Sequence, residues 1–381
     1  MPAVNDIFTA SVRDLSSDGN GVVEHRSGQI FFVPGVWPGE EGEFRVTGFR
    51  KSFGFARLVK LLRPAPERVT PQCVHQGFGR DDCGGCPWQF VTYEAQLAAK
   101  EMRVRRALSR LGLDERIRPI WGSPQQFGYR NRAQLKSDGR AIGYVAQGSN
   151  RLVAIDDCPI LSDHNRQTLK DFLATLPNPA LRPSRKAQWS TLDIDEALTA
   201  ETVSINRRRP FQQANSAQNL RMRDWLARSL ANADKALPVV ELFAGSGNFT
   251  EVLHNAGFER ILAVEGVAEA VDALDTQGWR GVEGLVCDLF SEAGARTAAQ
   301  AASGSGVLVL DPPRDGFRHI GTLTTALSKL RHIAYISCDL ATFVRDMQTL
   351  LQQGFVVDHI QPLDLFPHTP HVELLAALRK P

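Results

Sequence analysis

Three short stretches near the C-terminus carry side chains of the kinds that enzymes use for bond making. Ser337-Cys338-Asp339 follows the apolar run Ile333–Ser337, so a thiol falls at the carboxyl edge of a strand, just before a helix. A helix N-terminus is expected to lower the pKa of that thiol, and the thiolate is the nucleophile. Asp311-Pro312-Pro313-Arg314 follows another apolar run, Val307–Leu310, and its prolines stiffen a loop that holds the Asp311 carboxylate over the same edge. Phe366-Pro367-His368-Thr369-Pro370-His371-Val372-Glu373 brings two histidines and a glutamate together. The bland alternative for Cys338 is a buried core thiol.

A second set of reactive groups lies upstream. Cys73, Cys83, Cys86 and Cys158 follow the spacing Cys-x9-Cys-x2-Cys-x71-Cys. Thiolates two residues apart on a glycine turn can ligate one metal centre, and the other two cysteines complete a four-thiolate set that suits zinc or an iron–sulfur cluster. The absence of a Cys-x3-Cys-x2-Cys triplet argues for a structural centre and against radical chemistry.

These groups need a scaffold, and the stretch that defines it is Val239-Val240-Glu241-Leu242-Phe243-Ala244-Gly245-Ser246-Gly247-Asn248-Phe249-Thr250. A buried strand, a glycine turn and a helix opening at Asn248 form the geometry that holds a nucleotide-like ligand at the end of a parallel sheet. Further strands are expected at Ile261–Glu265, Gly284–Val286, Val307–Leu310 and Ile333–Ser337, with a closing pair near Phe355–Ile360 and Val372–Leu378. Their alternation with helices predicts a doubly wound α/β sheet. Glu265, 18 residues past Gly247, ends the second strand where a carboxylate can accept from ribose hydroxyls, and Asp288 ends the third near an adenine edge.

The first sixty residues read as closely spaced strands with Gly and Pro turns, a small β-barrel. Within them Phe53 and Phe55 share a strand face with Lys51 and Arg57, a surface that could stack bases and track phosphates. The alternative is that these phenylalanines fill the barrel. Tyr93 to Leu113 predicts a helix with Lys100, Arg103, Arg106 and Arg110 on one side, a basic stripe or a solvated face. Strand-like alternation resumes at Phe127–Lys136 and runs to about Ile205, and Arg207-Arg208-Arg209-Pro210 marks a boundary. The chain has 381 residues, 43% apolar and 23% charged, with a net charge of +2, so any nucleic-acid surface must come from local clustering. It has no apolar run of membrane-spanning length and no signal-peptide pattern at its start, which predicts a cytoplasmic protein without a membrane partner.

Taken together, these motifs resemble the RNA (uracil-5-)-methyltransferase family over almost the whole chain. Residues 1–62 resemble a TRAM domain, an OB-like RNA-binding barrel, with Val33-Pro34-Gly35-Val36-Trp37-Pro38-Gly39-Glu40 as its marker. The resemblance implies a central β-rich iron–sulfur domain over 63–208, whose helix at about 92–113 packs on the catalytic domain, and a Rossmann-like class I methyltransferase sheet over 209–381. It implies a [4Fe-4S] cluster on Cys73, Cys83, Cys86 and Cys158, as in the ribosomal branch. Phe211-Gln212-Gln213-Ala214-Asn215 resembles the family's Phe-x-Gln-x-Asn, which implies that Gln213 contacts S-adenosylmethionine. Phe243, Asn248, Glu265, Asp288 and Asp311 fall on the other cofactor positions, Cys338 on the nucleophile and Glu373 on the general base.

There are two departures from the family pattern. The first cysteine gap is longer than usual, and Asp339-Leu340 stands where Asn-Pro is common. A carboxylate beside the thiol should oppose thiolate formation, so a compensating base is expected nearby. The implied reaction is methylation of uridine C5: Cys338 adds at C6, C5 takes the methyl group, Glu373 removes the C5 proton and the thiolate leaves. The base must leave its stack to be reached. Ribosomal RNA is the expected substrate, with transfer RNA, and a noncatalytic RNA-binding role, as alternatives; a monomer is expected. Cytosine-C5 chemistry would place a Pro-Cys after the fourth strand and exocyclic-amine chemistry an aromatic after the prolines, and neither is present.

Overall fold

The protein is described from a computed structural model that covers residues 2–146, 149–207, 209 and 211–381. Arg208 and Pro210 of the expected boundary lie outside the described residues. The chain forms two compact units, each assembled from three separate segments. The first comprises Met1–Ala98, Gln125–Arg207 and Phe366–Pro370; the second comprises Ala99–Pro124, Arg208–Leu365 and His371–Pro381. Where the sequence predicts three consecutive domains, contacts therefore group the barrel with the cysteine segment. No described helix is long and apolar enough to cross a membrane.

In the first unit, strands β1 (Ile7–Leu15), β2 (Gly21–Glu24), β3 (Ile30–Val33), β4 (Glu41–Arg50) and β5 (Phe53–Arg63) close a barrel in the order β1-β2-β3-β5-β4. Its core is Val12, Val23, Phe31, Val33, Phe44, Val46 and Ala56. Strand alternation turns Gly54 and Ala56 inward, so Phe53 and Phe55 face out and do not fill the barrel. Gly54 is required because a Cβ there would sit 2.3 Å from the Phe31 ring. The loop before β4 is locked by Glu40, fully buried, which accepts from the Trp37 and Ala65 amides and pairs with the Arg68 guanidinium through both oxygens.

The same unit holds a second sheet, β6 (Arg132–Ser137), β7 (Ile142–Val145), β8 (Leu152–Ala154) and β9 (Ser190–Asp195), in the order β8-β7-β6-β9. Helix α1 (Tyr93–Ser109) precedes these strands in sequence and ends four residues before Leu113, the predicted limit. Helix α2 (Asp163–Ala174) interrupts the run that reads as strands and turns. Its start is signalled by Ser162, whose hydroxyl accepts from the Asn165 amide, and it buries Leu169 and Phe172.

The second unit continues with helix α3 (Ser216–Ser229), capped by Asn215, and then alternates strand and helix: β10 (Val239–Leu242), α4 (Thr250–Asn255), β11 (Ile261–Glu265), α5 (Ala268–Asp275), β12 (Val282–Val286) and α6 (Glu292–Ala301). After these come β13 (Val307–Leu310), α7 (Ile320–Ala326), β14 (His332–Ser337), α8 (Leu340–Gln352), β15 (Val356–Leu363) and β16 (Glu373–Arg379). The seven strands lie in the order β12-β11-β10-β13-β14-β16-β15. Strands β10 to β14 are parallel, and the closing pair runs antiparallel. Strand order reverses beside β10, which is where an open parallel sheet offers a crevice for a ligand.

Candidate active site and thiol cavity

The crevice starts at the end of β10. Phe243 adopts φ +61°, a left-handed conformation unusual for an aromatic residue, and Gly245 and Gly247 follow at +56° and +99°. A Cβ on Gly245 would meet nothing within 4 Å, whereas one on Gly247 would strike the Trp279 ring at 2.9 Å. The turn is therefore backed by Trp279 and open beside Gly245. Glu265 accepts from Gly245 N at 3.0 Å through one oxygen, and from the Gly266 and Val267 amides through the other. Asn248 exchanges reciprocal amide hydrogen bonds with Asn219 at 2.9 and 3.0 Å. Asp288 lies exposed two residues beyond β12 and accepts from Phe290 N. Gln213 is half-buried before α3. Sequence reasoning passes over Phe290, 53% exposed, whose ring lies 5.7 Å from that of Phe243.

The reactive groups gather one and two strands away. Cys338 follows β14, and Glu373 opens β16, its antiparallel neighbour, next to the Ser337–Leu374 pair. Asp311 follows β13 and donates its amide to Leu242 O on β10. Burial raises the Asp311 carboxyl to about 7. Burial, then the Asp311 charge, lifts Glu373 well above the ordinary carboxylate range. The Cys338 thiol is pushed up to about 12, first by burial and then by Glu373 and Asp311. The lowered thiol pKa expected from the helix start is thus overturned. Asp339 takes the N-cap of α8 and accepts from Thr342 N at 2.9 Å, so it answers the helix amides itself.

The compensating base is Arg314, whose guanidinium opposes the rise at Cys338. Its Nη2 lies 3.2 Å from His371 Nε2, and the His371 ring is held down to about 4 by its surroundings and by Arg314. A neutral imidazole accepting at Nε2 fits both observations. Beneath the site, buried Glu241 accepts from Thr250 Oγ1 at 2.6 Å, and burial raises it to about 8. Register pairs Glu241 with Val309, so Glu241 and Asp311 lie on one face of neighbouring strands, two residues apart. Neither Arg314 nor Glu241 stands out in the sequence, because each acquires its role from a neighbour on another strand.

The basic stripe of α1 divides differently from expectation. Lys100 is fully buried and donates to Asp364 Oδ1 at 2.5 Å, so it is neither solvated nor open to a nucleic acid.

In the first unit, Cys73, Cys83, Cys86 and Cys158 line one cavity of about 180 Å³ together with Gln76, Gln89, Arg130 and Tyr144. Burial, and the mutual repulsion of the four sulfurs, raises the Cys83, Cys86 and Cys158 thiols, the last to about 11. Tyr144 OH stands 3.9 Å from Cys158 Sγ. Among the described residues no three His, Cys, Asp or Glu side chains are grouped so as to hold one metal ion.

The tRNA (Uracil-5-)-methyltransferase family profile matches residues 184–277 and 302–380. Those segments include Gln213, Phe243, Asn248, Glu265, Asp311, Cys338 and Glu373, and leave out Asp288 and the four cysteines. An uncharacterized RNA methyltransferase of Nitrosomonas europaea is 40% identical over 380 residues, covering 98% of this chain and 97% of its own. A 23S rRNA (uracil(1939)-C(5))-methyltransferase of Halomonas elongata is 30% identical, covering 97% of this chain and 89% of its own. Among solved structures, the tRNA (uracil-54, C5)-methyltransferase of Pyrococcus abyssi, in complex with S-adenosyl-L-homocysteine, shares the fold. Its TM-score is 0.69 at 22% identity, over 97% of this chain and 100% of its own. An α/β sheet with a thiol and two carboxylates at its carboxyl edge, and relatives that match from end to end, lead to one assignment: the chain belongs to the RNA (uracil-5-)-methyltransferase family of S-adenosylmethionine-dependent enzymes.

Proposed function

We propose that the protein methylates C5 of a uridine in 23S ribosomal RNA. The observation that carries this is the grouping of Cys338, Glu373 and Asp311 at the ends of β13, β14 and β16, close enough for each carboxylate to raise the thiol. Uracil C5 is a weak nucleophile until a thiolate adds at C6. Cys338 supplies that addition, with Arg314 stabilising its charge. S-adenosylmethionine, when bound, supplies an electrophilic methyl group. Glu373, whose hold on a proton is strengthened by burial and by Asp311, removes the C5 proton, and Cys338 is then expelled. Gln213, Phe243, Asn248, Glu265, Asp288 and Asp311 would hold the cofactor. The open turn at Gly245 suits it, because backbone there can approach a ligand without a side chain intervening.

Cys73, Cys83, Cys86 and Cys158 would hold a [4Fe-4S] cluster with a structural role. Each iron of a cluster takes its own thiolate, so four cysteines that line one cavity suit it. The barrel of residues 1–62, a TRAM-like module, would hold RNA, with the cysteine segment as the cluster module and the second unit as the catalytic module of a cytoplasmic monomer. Ribosomal RNA is favoured over transfer RNA by the ribosomal relative at 30% identity.

The test is anaerobic incubation with S-adenosylmethionine and 5-fluorouridine-containing 23S or transfer RNA, reading denaturation-resistant adducts against Cys338→Ala. Fluorine cannot leave as the proton does, so the expected result is a Cys338-dependent adduct on 23S RNA. An adduct only on transfer RNA would move the substrate. No adduct with cofactor bound would support a noncatalytic RNA-binding protein.

A further inference from the structure

The wall of the thiol cavity holds two groups that the four cysteines do not explain. The side-chain nitrogens Nε2 of Gln76 and Gln89 are both sealed from solvent and have no hydrogen-bond partner among the described residues. Gln89 is 3% exposed, and both glutamines line the cavity with Cys73, Cys83, Cys86 and Cys158. The orientation of the Gln89 amide is set by its neighbour: Cys73 N donates to Gln89 Oε1 at 2.7 Å, which leaves Nε2 as the free end. The backbone ties Gln76 just as closely to the thiols. Gln76 N donates to Cys73 O at 3.1 Å, and Gln76 forms a bridge with Cys83. A buried donor without an acceptor is costly, so two on residues that line one cavity call for an acceptor there. Arg130 adds positive charge to the same wall. The occupant that matches is anionic and rich in sulfur acceptors.

We propose that Gln76 and Gln89 donate hydrogen bonds through Nε2 to sulfur atoms of the cluster and thereby raise its reduction potential. This rests on the cluster reading given above. Donation withdraws electron density from sulfur and stabilises the extra negative charge of the reduced cluster. Removing a donor then makes the cluster harder to reduce.

The test uses the full-length protein, reconstituted anaerobically, as wild type, Gln76→Leu, Gln89→Leu and Gln72→Leu. Gln72 is exposed and does not line this cavity, so it serves as the control. Iron and acid-labile sulfide are assayed first, and the midpoint is followed by electron paramagnetic resonance of the reduced cluster. At a fixed potential the reduced-to-oxidised ratio should fall roughly tenfold in Gln76→Leu and in Gln89→Leu, about 59 mV for a one-electron couple, and stay unchanged in Gln72→Leu. Gln76→Leu leaves the Cys73–Gln89 contact intact, so it reads the donor alone should Gln89→Leu fold poorly. Full iron and sulfide with an unchanged midpoint in Gln76→Leu would overturn the proposal and mean that the amides bind water. Wild type without iron and sulfide would overturn the cluster reading itself, and this inference with it.

Discussion

A carboxyl group sealed inside a sheet must find a cation or keep its proton, and Glu241 has the Thr250 hydroxyl and the Asp311 carboxyl as its polar company. Its raised value, about 8 against an ordinary 4.5, means that the folded state holds a proton that the unfolded chain releases. Stability should therefore fall as pH rises from about 4.5 to about 8, by on the order of 5 kcal/mol for this group alone. Glu241→Gln, an isostere of the protonated acid, should flatten the decline, as read by urea unfolding between pH 6 and 9. Parallel pH profiles for variant and wild type would mean that Glu241 is ionised in the fold. The placement of Cys338 and Asp311 was legible in the sequence, because each follows an apolar run that specifies its own strand, whereas Glu373 opens its strand and was marked by the family resemblance. Their protonation was not. The direction of the Cys338 shift depends on burial and on Glu373, 35 residues away, while helix position alone suggests the reverse.

At the scale of elements, the loop that carries Asp311 and Arg314 is held from behind by α8, where Thr342 Oγ1 donates to Arg314 O, Arg345 Nη2 donates to Asp315 O and Asp346 takes the Phe317 amide. Asp346, 1% exposed, accepts from Phe317 N at 2.9 Å and Tyr335 OH at 2.6 Å through one oxygen, and from Arg345 Nε through the other. It thus ties the loop after β13 to β14 and α8. Asp346→Ala would leave the fully buried Tyr335 hydroxyl and the Phe317 amide without their acceptor, a loss of roughly 2–3 kcal/mol. Adduct formation by Cys338 should fall further than stability alone explains, because the loop that carries Arg314 loses one of its ties to α8. Chemical denaturation together with single-turnover adduct kinetics at a temperature where the variant is folded checks both. An adduct rate equal to wild type would mean that the prolines and the Thr342 and Arg345 contacts suffice to position the loop. The strands of this half could be read from apolar runs and glycine turns, within two residues for the first five. Helix α2 could not, because its apolar positions are spaced among polar residues and its clearest marker is the single cap Ser162. The fate of Lys100 was also hidden, since its partner Asp364 is 264 residues away.

At the scale of the molecule, the second unit includes a segment that the expected boundary near residue 208 leaves outside it, although the family resemblance implies that the segment's helix packs on the catalytic domain. Residues 99–124 place Val104, Leu108, Leu113 and Ile117 in the core of the seven-stranded sheet. The same segment pairs with the sheet edge: Arg118 N donates to Ile360 O and Trp121 N to Pro362 O, both at 2.9 Å, and Gln361 Nε2 donates to Pro119 O at 2.7 Å. A domain boundary drawn from composition near residue 208 cannot register such pairing, because its partners lie about 240 residues apart and neither side is unusual in itself. Burial of those four side chains is worth roughly 6–12 kcal/mol as an upper bound, comparable to the 5–15 kcal/mol that typically separates a folded domain from its unfolded chain. Residues 209–381 alone should therefore lack a cooperative unfolding transition. The same fragment with residues 99–124 joined through a flexible linker should regain one. Near-ultraviolet circular dichroism against urea makes the comparison, and a shared midpoint for the two fragments would show that the sheet folds without the added segment.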